Sequence, residues 1–207
     1  AYANAVHERR AGEIIAKEYP DLAVSLSSAV APQIREFERT STTAVNAYIK
    51  PLAESYLDLL AAEIAKLGIG APLFMMLSNG GLTHIEEAKR VPVQLLESGP
   101  AAGALAGALF GKRSNVDDVL AFDMGGTTAK LAMVEDGEPL IAYQFEASRA
   151  KRFAEGSGLP INISTIELIE IGAGGGSIAE IDALGLLKVG PRSAGAAPGP
   201  ACYGRGG

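Results

Sequence analysis

The stretch LAFDMGGTTAKLAMVEDGEP, Leu120 to Pro139, gathers the residues of this chain best suited to chemistry. An apolar strand runs into Asp123, Met124, Gly125, Gly126, Thr127 and Thr128, and a second apolar strand leaves. Adjacent glycines let a backbone fold back so that successive N–H groups meet in one concavity, which suits an anion. Thr127 and Thr128 add hydroxyl donors, and Asp123 at a strand end could hold Mg2+ beside phosphate oxygens. The same residues would also make a plain hairpin whose glycines only supply positive φ. The strand on either side of Asp-x-Gly-Gly-Thr-Thr favours phosphate.

A second cluster, IGAGGGSIAEID (Ile171 to Asp182), places Gly174, Gly175 and Gly176 in series before Ser177. A run without side chains permits close approach of a ligand or of another backbone. Gly99, Gly103, Gly107 and Gly111 stand four apart and give a helix one flat face for close packing. The Gly-Lys-Arg-Ser string after them is not a P-loop, because Arg113 stands where Ser or Thr must follow the lysine. Asn79, Gly80 and Gly81 close an apolar strand, where sites collect in a parallel sheet, or make an ordinary turn. His7 and His84 lack metal-ligand spacing and read as surface residues. Cys202 has no activating base indicated in sequence and reads as an inert thiol. Arg149, Lys151 and Arg152 make a small basic cluster, read as a solvated face.

These residues must be held by regular elements. Residues 2–18 read as a helix ending before Pro20, and AVSLSS (Ala23 to Ser28) as a short strand. VAPQIREFERTSTTAVNAYI reads as a helix interrupted at Thr40 to Thr43, and Pro51 as the opening of another. Leu52, Tyr56, Leu59, Leu60, Ile64 and Leu67 recur as one apolar stripe, and Gly68 stops it. PLFMMLSNGG and VQLLESGP read as strands, THIEEAKR as a short helix with a Thr83–Glu86 capping box, and AAGALAGALFG as a helix. This alternation predicts a mainly parallel α/β sheet. From Leu120 the pattern turns to hairpins, with Asp136-Gly137 as a turn dipeptide, and after Leu187 it reads as loop.

The composition sets limits on partners. The chain has 207 residues, a net charge of −6, no Trp and a single cysteine. An acidic chain argues against nucleic-acid or anionic-membrane partners. One cysteine allows no intrachain disulfide and fits a reducing cytoplasm. The absence of an initiator Met and the ending at GRGG suggest an internal piece of a longer protein.

The motifs ERTSTTAVNAYIKP (Glu38 to Pro51), SNGG, ESGPAAG, FDMGGTTAK, IEIGAGGGSIAEID and VGPRSAGAAPGPACYGRGG, in this order, closely resemble the hydantoinase/oxoprolinase family in its hydantoinase A segment. The resemblance covers nearly the whole chain. It implies an α/β fold, an actin-like (ribonuclease H-like) ATPase domain with a mixed sheet, hairpins and flanking helices. In that fold two similar halves hold ATP and Mg2+ between them, each with an Asp-x-Gly-Gly-type hairpin. The Asp123 turn matches the hairpin of the second half, and the companion is expected upstream. Residues 1–67 would end the first half with its linking helices, and 68–207 would form the second half.

The resemblance also implies a chemistry. Relatives use ATP to open a cyclic amide, 5-oxoproline or a hydantoin, by phosphorylating the ring carbonyl oxygen. Another branch couples a ketone with bicarbonate. Asp123 would serve Mg2+, while Gly125, Gly126, Thr127 and Thr128 would serve phosphate. Gly174, Gly175, Gly176 and Ser177 would line the nucleotide cleft or the adjoining substrate face. A B-type subunit or fused region is the implied partner, in a hetero-oligomer. Where many relatives read Gly-Gly-Thr-Ser-Thr-Asp, this chain has Lys130 in place of the Asp. RFAEGSGLPINISTIELIEIG looks more like the hydantoin and ketone-carboxylase branches. A non-catalytic assembly module is the alternative outside enzymes, and a small-sugar kinase is disfavoured by the tail motif.

Overall fold

The computed structural model describes residues 2–147 and 156–206, so the basic cluster Arg149, Lys151 and Arg152 lies outside the described residues. The chain forms two compact units, Ala1–Ala101 with Ile141–Thr165, and Ala102–Leu140 with Ile166–Gly207. The unit boundaries fall at residues 101, 140 and 165.

In the first unit α1 (Val6–Glu18) ends before Pro20 as expected but starts at Val6, four residues later than the sequence pattern suggests. The expected strand at Ala23 to Ser28 does not form. Glu8 on α1 accepts the N–H groups of Ser27 (2.6 Å) and Ser28 (3.0 Å) instead. That carboxylate satisfies the free donors of a helix start, so the segment turns into the one-turn helix α2 (Ser27–Val30).

The two helices expected around Pro51 are one, α3 (Glu36–Lys66), with Pro51 inside it. The Ser/Thr run does not break α3, because the Thr42 and Thr43 hydroxyls donate to the carbonyls of Glu38 (2.6 Å) and Arg39 (2.7 Å), one turn back. Asn46 is wholly buried and ties three segments together. Its Nδ2 donates to Ser25 Oγ (3.0 Å) and Arg90 O (3.4 Å), and its Oδ1 accepts from Val93 N (3.1 Å). Gly68, with φ 76°, follows the helix end as expected. The apolar stripe is corrected. Leu57 is the buried residue, packed with Ile85, Ala88, Leu60 and Ala61, whereas Leu52, Tyr56, Leu59 and Leu67 are exposed. Apolar residues occupy more than one face of α3, so three-to-four spacing alone does not select the buried one.

Strands β1 (Phe74–Met76) and β2 (Leu82–His84) pair antiparallel, and SNGG is their turn. Asn79 Oδ1 accepts the Gly81 N–H at 2.9 Å, an ordinary Asx turn rather than the end of a parallel strand. Thr83 lies within β2, so no Thr83–Glu86 capping box forms at α4 (Ile85–Arg90). The expected strand VQLLESGP (Val93–Pro100) does not form: Val93–Leu95 lie in a 3-10 turn that begins at Pro92, and its last residues open a helix, Ser98–Arg113. Buried Ser78 draws carbonyls of that segment inward: its N–H donates to Gln94 O at 2.8 Å, and its single hydroxyl hydrogen is shared between Gln94 O (2.6 Å) and Leu96 O. A second core cluster among the described residues of the unit joins Val30, Ala31, Val91, Val93, Ile161 and Ile163.

Helix α5 (Ser98–Arg113) carries the glycine series. In the second unit its Gly107 and Gly111 meet β3 (Val119–Met124). A Cβ at Gly107 would stand 3.0 Å from Ala121 Cβ, and one at Gly111 would stand 2.7 Å from Val119 Cγ2. The close-packing reading therefore holds at those two positions. A Cβ at Gly99 or Gly103 would meet nothing within 4 Å, so packing does not require glycine there. β3 pairs with β4 (Ala129–Glu135), which also pairs with β5 (Glu138–Pro139). Asp136 (φ 51°) and Gly137 (φ 80°) make the expected turn between β4 and β5.

Four short strands follow: β6 (Ile141–Ala142), β7 (Phe145–Ala147), β8 (Leu159–Ile161) and β9 (Thr165–Ile166). β10 (Ile169–Ile171) pairs with the free edge of β4. β11 (Ser177–Ile181) and β12 (Leu187–Ser193) form a two-stranded ribbon, and β12 falls where loop was expected. That ribbon is exposed on nearly every residue of β12, so burial imposed no period-two pattern on its sequence. The pairs β1–β2, β3–β4, β4–β5, β4–β10, β7–β8 and β11–β12 are all antiparallel, which corrects the mainly parallel expectation. Turns as short as Gly125–Thr128 can join only antiparallel neighbours.

Candidate functional site

β3 delivers Asp123 to the mouth of the hairpin, exposed, and β4 leaves from Ala129. Between them Gly125 donates its N–H to Thr128 O at 2.9 Å and closes the turn. Among the described residues, the N–H groups of Gly126, Thr127 and Thr128 have no acceptor in the chain. Three consecutive unbonded donors at an exposed turn are the raw material of an anion site.

The glycines of this turn do not serve positive φ, since neither Gly125 nor Gly126 adopts it. Packing does not demand them either. A Cβ at Gly125 would stand 3.6 Å from Thr128 O, and one at Gly126 would stand 3.9 Å from Gly195 O. Both are ordinary contact distances, so the space over the turn is left open.

Asp123 pairs in register with Lys130, and Lys130 with Glu170 of β10. Residues paired across antiparallel strands share a face, so the sheet carries an acid–base–acid row beside the turn. Lys130 Nζ lies 3.1 Å from a Glu170 carboxylate oxygen. Lys130 is thus partnered by an acid that the sequence did not link to it. No group of three or more His, Cys, Asp or Glu able to hold a metal occurs among the described residues. Asp123 by itself fits the way Mg2+ is usually held, with one or two carboxylates and the rest of the shell from phosphate and water.

The structure brings the second cluster directly against this turn. Gly175 N–H donates to Gly125 O (2.9 Å) and Gly176 N–H to Gly126 O (2.7 Å). Gly174 N–H donates to Ser177 Oγ (2.8 Å), and Ser177 N–H returns to Gly174 O (3.0 Å). The close approach here is backbone to backbone. A Cβ at Gly174 would fall 2.7 Å from Gly125 O, Thr127 C and Thr128 N. The tail loop joins the contact from outside, with Ala194 N–H donating to Gly176 O at 2.7 Å. In sequence this tail is a family-like motif that nothing ties to the site. Its glycines and alanines, which leave room for backbone contact, were the available signal.

His7 and His84 are exposed, as expected, with His84 set edge-on to Phe74 at 5.6 Å. Cys202 is a free, exposed thiol. No helix among the described residues is long and apolar enough to cross a membrane.

This mixed α/β chain of hairpins and flanking helices shares its fold with the ATPase-like domains of a solved acetone carboxylase and a solved caprolactamase. The family described as hydantoinase/oxoprolinase matches residues 39–207, and the chain belongs to that family. It is 44% identical to an uncharacterised protein of Methanocaldococcus jannaschii, covering 100% of this chain and 31% of that protein. It is 39% identical to the caprolactamase subunit alpha of Pseudomonas jessenii, covering 99% of this chain and 28% of the subunit. It is 32% identical to the acetophenone carboxylase gamma subunit of Aromatoleum aromaticum, covering 100% of this chain and 28% of that subunit. Among solved structures, the ATP-dependent caprolactamase of Pseudomonas jessenii superposes with a TM-score of 0.71 at 37% identity, covering 100% of this chain and 28% of that one. A nucleotide-free acetone carboxylase superposes with a TM-score of 0.73 at 25% identity, covering 94% of this chain and 26% of that one. The chain thus spans under a third of the length of these relatives.

Proposed function

We propose that this chain is the phosphate-gripping part of an ATP-dependent enzyme that opens a cyclic amide, a hydantoin or 5-oxoproline. The observation that carries the reading is the Gly125–Thr128 turn: three unbonded N–H groups, with glycines that neither backbone conformation nor packing requires. In this reading ATP transfers its γ-phosphoryl group to the ring carbonyl oxygen and leaves as ADP. Water then attacks the activated carbon, the C–N bond breaks, the nitrogen takes a proton and phosphate departs. The protein contributes mainly alignment and charge neutralisation. Gly126, Thr127 and Thr128 hold phosphate oxygens, with Gly125 shaping the turn. Asp123 holds Mg2+, which when bound offsets charge on the phosphates. Gly174, Gly175, Gly176 and Ser177 form the wall behind the turn. A B-type subunit or fused region completes a hetero-oligomer in the cytoplasm; the relatives named as subunits support a multi-chain assembly.

The deciding experiment is phosphate release by the intact parent protein with its B-type partner. 5-Oxoproline and hydantoins are supplied in one arm, ketone plus bicarbonate in the other. Stimulation by a cyclic amide is the expected result. Stimulation only by ketone with bicarbonate moves the protein to the carboxylase reading, which the similarity to acetophenone and acetone carboxylases favours. Silence in both arms supports a non-catalytic assembly role. Asp123→Ala in the same assembly abolishes ATP turnover and leaves the fold intact; normal turnover removes Asp123 from the Mg2+ role.

A further inference from the structure

We propose that the second glycine cluster is a positioning device: Gly175 and Gly176 grip the back of the phosphate turn, and Ser177 locks that grip. The proposal rests on the phosphate reading of the Asp123 turn and adds to it.

The argument is one of peptide geometry. Neither cis peptide bond of the described residues falls in the turn, so the Gly125–Gly126 and Gly126–Thr127 peptides are trans. A planar trans peptide points its N–H and C=O in opposite directions. Gly175 N–H holds Gly125 O at 2.9 Å, and Gly176 N–H holds Gly126 O at 2.7 Å. Both carbonyls are therefore turned toward the loop. The N–H groups of the same two peptides, those of Gly126 and Thr127, are turned side by side away from it. Two aligned donors on the far side are a seat for one phosphate oxygen of a nucleoside triphosphate. Held only by glycine torsions, these peptide planes could rotate and present carbonyl oxygens to the anion.

The loop keeps no donors for a ligand of its own. The N–H groups of Gly174, Gly175, Gly176 and Ser177 are all spent within the chain. Ser177 closes the loop on both sides: its Oγ accepts from Gly174 N at 2.8 Å, and its N–H donates to Gly174 O at 3.0 Å. Those two bonds fix the direction in which the Gly175 and Gly176 N–H groups point. Gly176 must be glycine for the same contact, since a Cβ there would fall 2.7 Å from Gly195 O and 2.9 Å from Gly126 O.

The test uses the intact parent with its partner and reads MgATP-dependent phosphate release. Ser177→Ala removes the oxygen that accepts the Gly174 N–H. It is expected to raise KM for MgATP about tenfold at an unchanged thermal midpoint, the scale of one lost hydrogen bond. Ser177→Thr keeps the oxygen and is expected to restore KM to within about twofold, as a mild substitution should. A merely structural defect reduces the amount of active enzyme, so it lowers kcat and leaves KM where it was. An unchanged KM in Ser177→Ala therefore overturns the positioning role, whatever happens to kcat. So does a raised KM that Ser177→Thr does not correct. Asp123→Ala, run alongside, separates the two ideas. If Asp123→Ala still releases phosphate, the reading of the turn itself fails. If it is inactive while Ser177→Ala keeps the parental KM, only the positioning role fails.

Discussion

A methyl group at Gly126 would clear the Gly195 carbonyl oxygen by 3.9 Å, whereas one at Gly174 would sit 2.7 Å from three backbone atoms. Identical chemistry should therefore give opposite phenotypes at these two glycines. Gly126→Ala is expected to hold or slightly raise the thermal midpoint, because alanine narrows the unfolded ensemble. It should also lose most ATP turnover in the intact parent, by placing a methyl over the turn. Gly174→Ala should cost about 1–3 kcal/mol of stability, the usual range for overpacking. Thermal melts and phosphate release on the two purified variants check this pair. A destabilised Gly126→Ala with normal turnover per folded molecule would remove the argument that the open space is kept for a ligand. At this scale much of the proposed site is legible in the sequence. Asp123, the glycine pair and the two threonines stood out by type and spacing. The role of Lys130 did not, because its Glu170 partner comes from β10, a strand distant in sequence, and is assigned by register.

Glu8 shows how an element can be decided by a residue far from it in sequence. The strand expected from the alternating apolar residues and serines of AVSLSS yields to a carboxylate that caps α2 from α1. Burial pushes the Glu8 carboxyl upward, but the bonds from Ser28 and Ser27 outweigh it and hold the group below its ordinary 4.5. A depressed folded-state value contributes stability that is present above the unfolded value and lost as pH falls through the folded one. Glu8→Gln should therefore lower stability by about 0.5–1 kcal/mol at neutral pH, the lower part of the range for a helix cap, since water screens this partly exposed group. The gap from the parental chain should close as pH falls below 4.5 and the parental carboxylate protonates. Denaturant midpoints measured along a pH series test this, and a gap that persists at the acid end would remove the cap. α3 carries the same lesson. Its hydroxyls bond backward within the helix and Pro51 is absorbed, so two signals that usually break helices did not.

The two units are each organised around few elements, and large apolar side chains remain exposed on both, among them Tyr48 and Leu52 on α3 and Phe122 and Met124 on β3. The chain spans under a third of the proteins it resembles, and the proposed site offers one phosphate turn with one carboxylate. MgATP should therefore bind this chain weakly or not at all when it is prepared alone. Calorimetry showing micromolar binding would mean that the described turn and loop suffice without a companion hairpin.

The sequence by itself determined the local chemistry: which turn is rich in donors, where Asp136-Gly137 reverses the chain, where Gly68 follows a helix end, and which family the motifs resemble. These follow from residue type and short spacing, which act within a turn or two of the backbone. Tertiary structure alone decided strand direction, the buried face of α3 and the partner of each glycine run. Those depend on which distant segments meet. The contact of Gly174–Ser177 with Gly125–Thr128 is made of backbone bonds, to which side-chain identity contributes only by its absence.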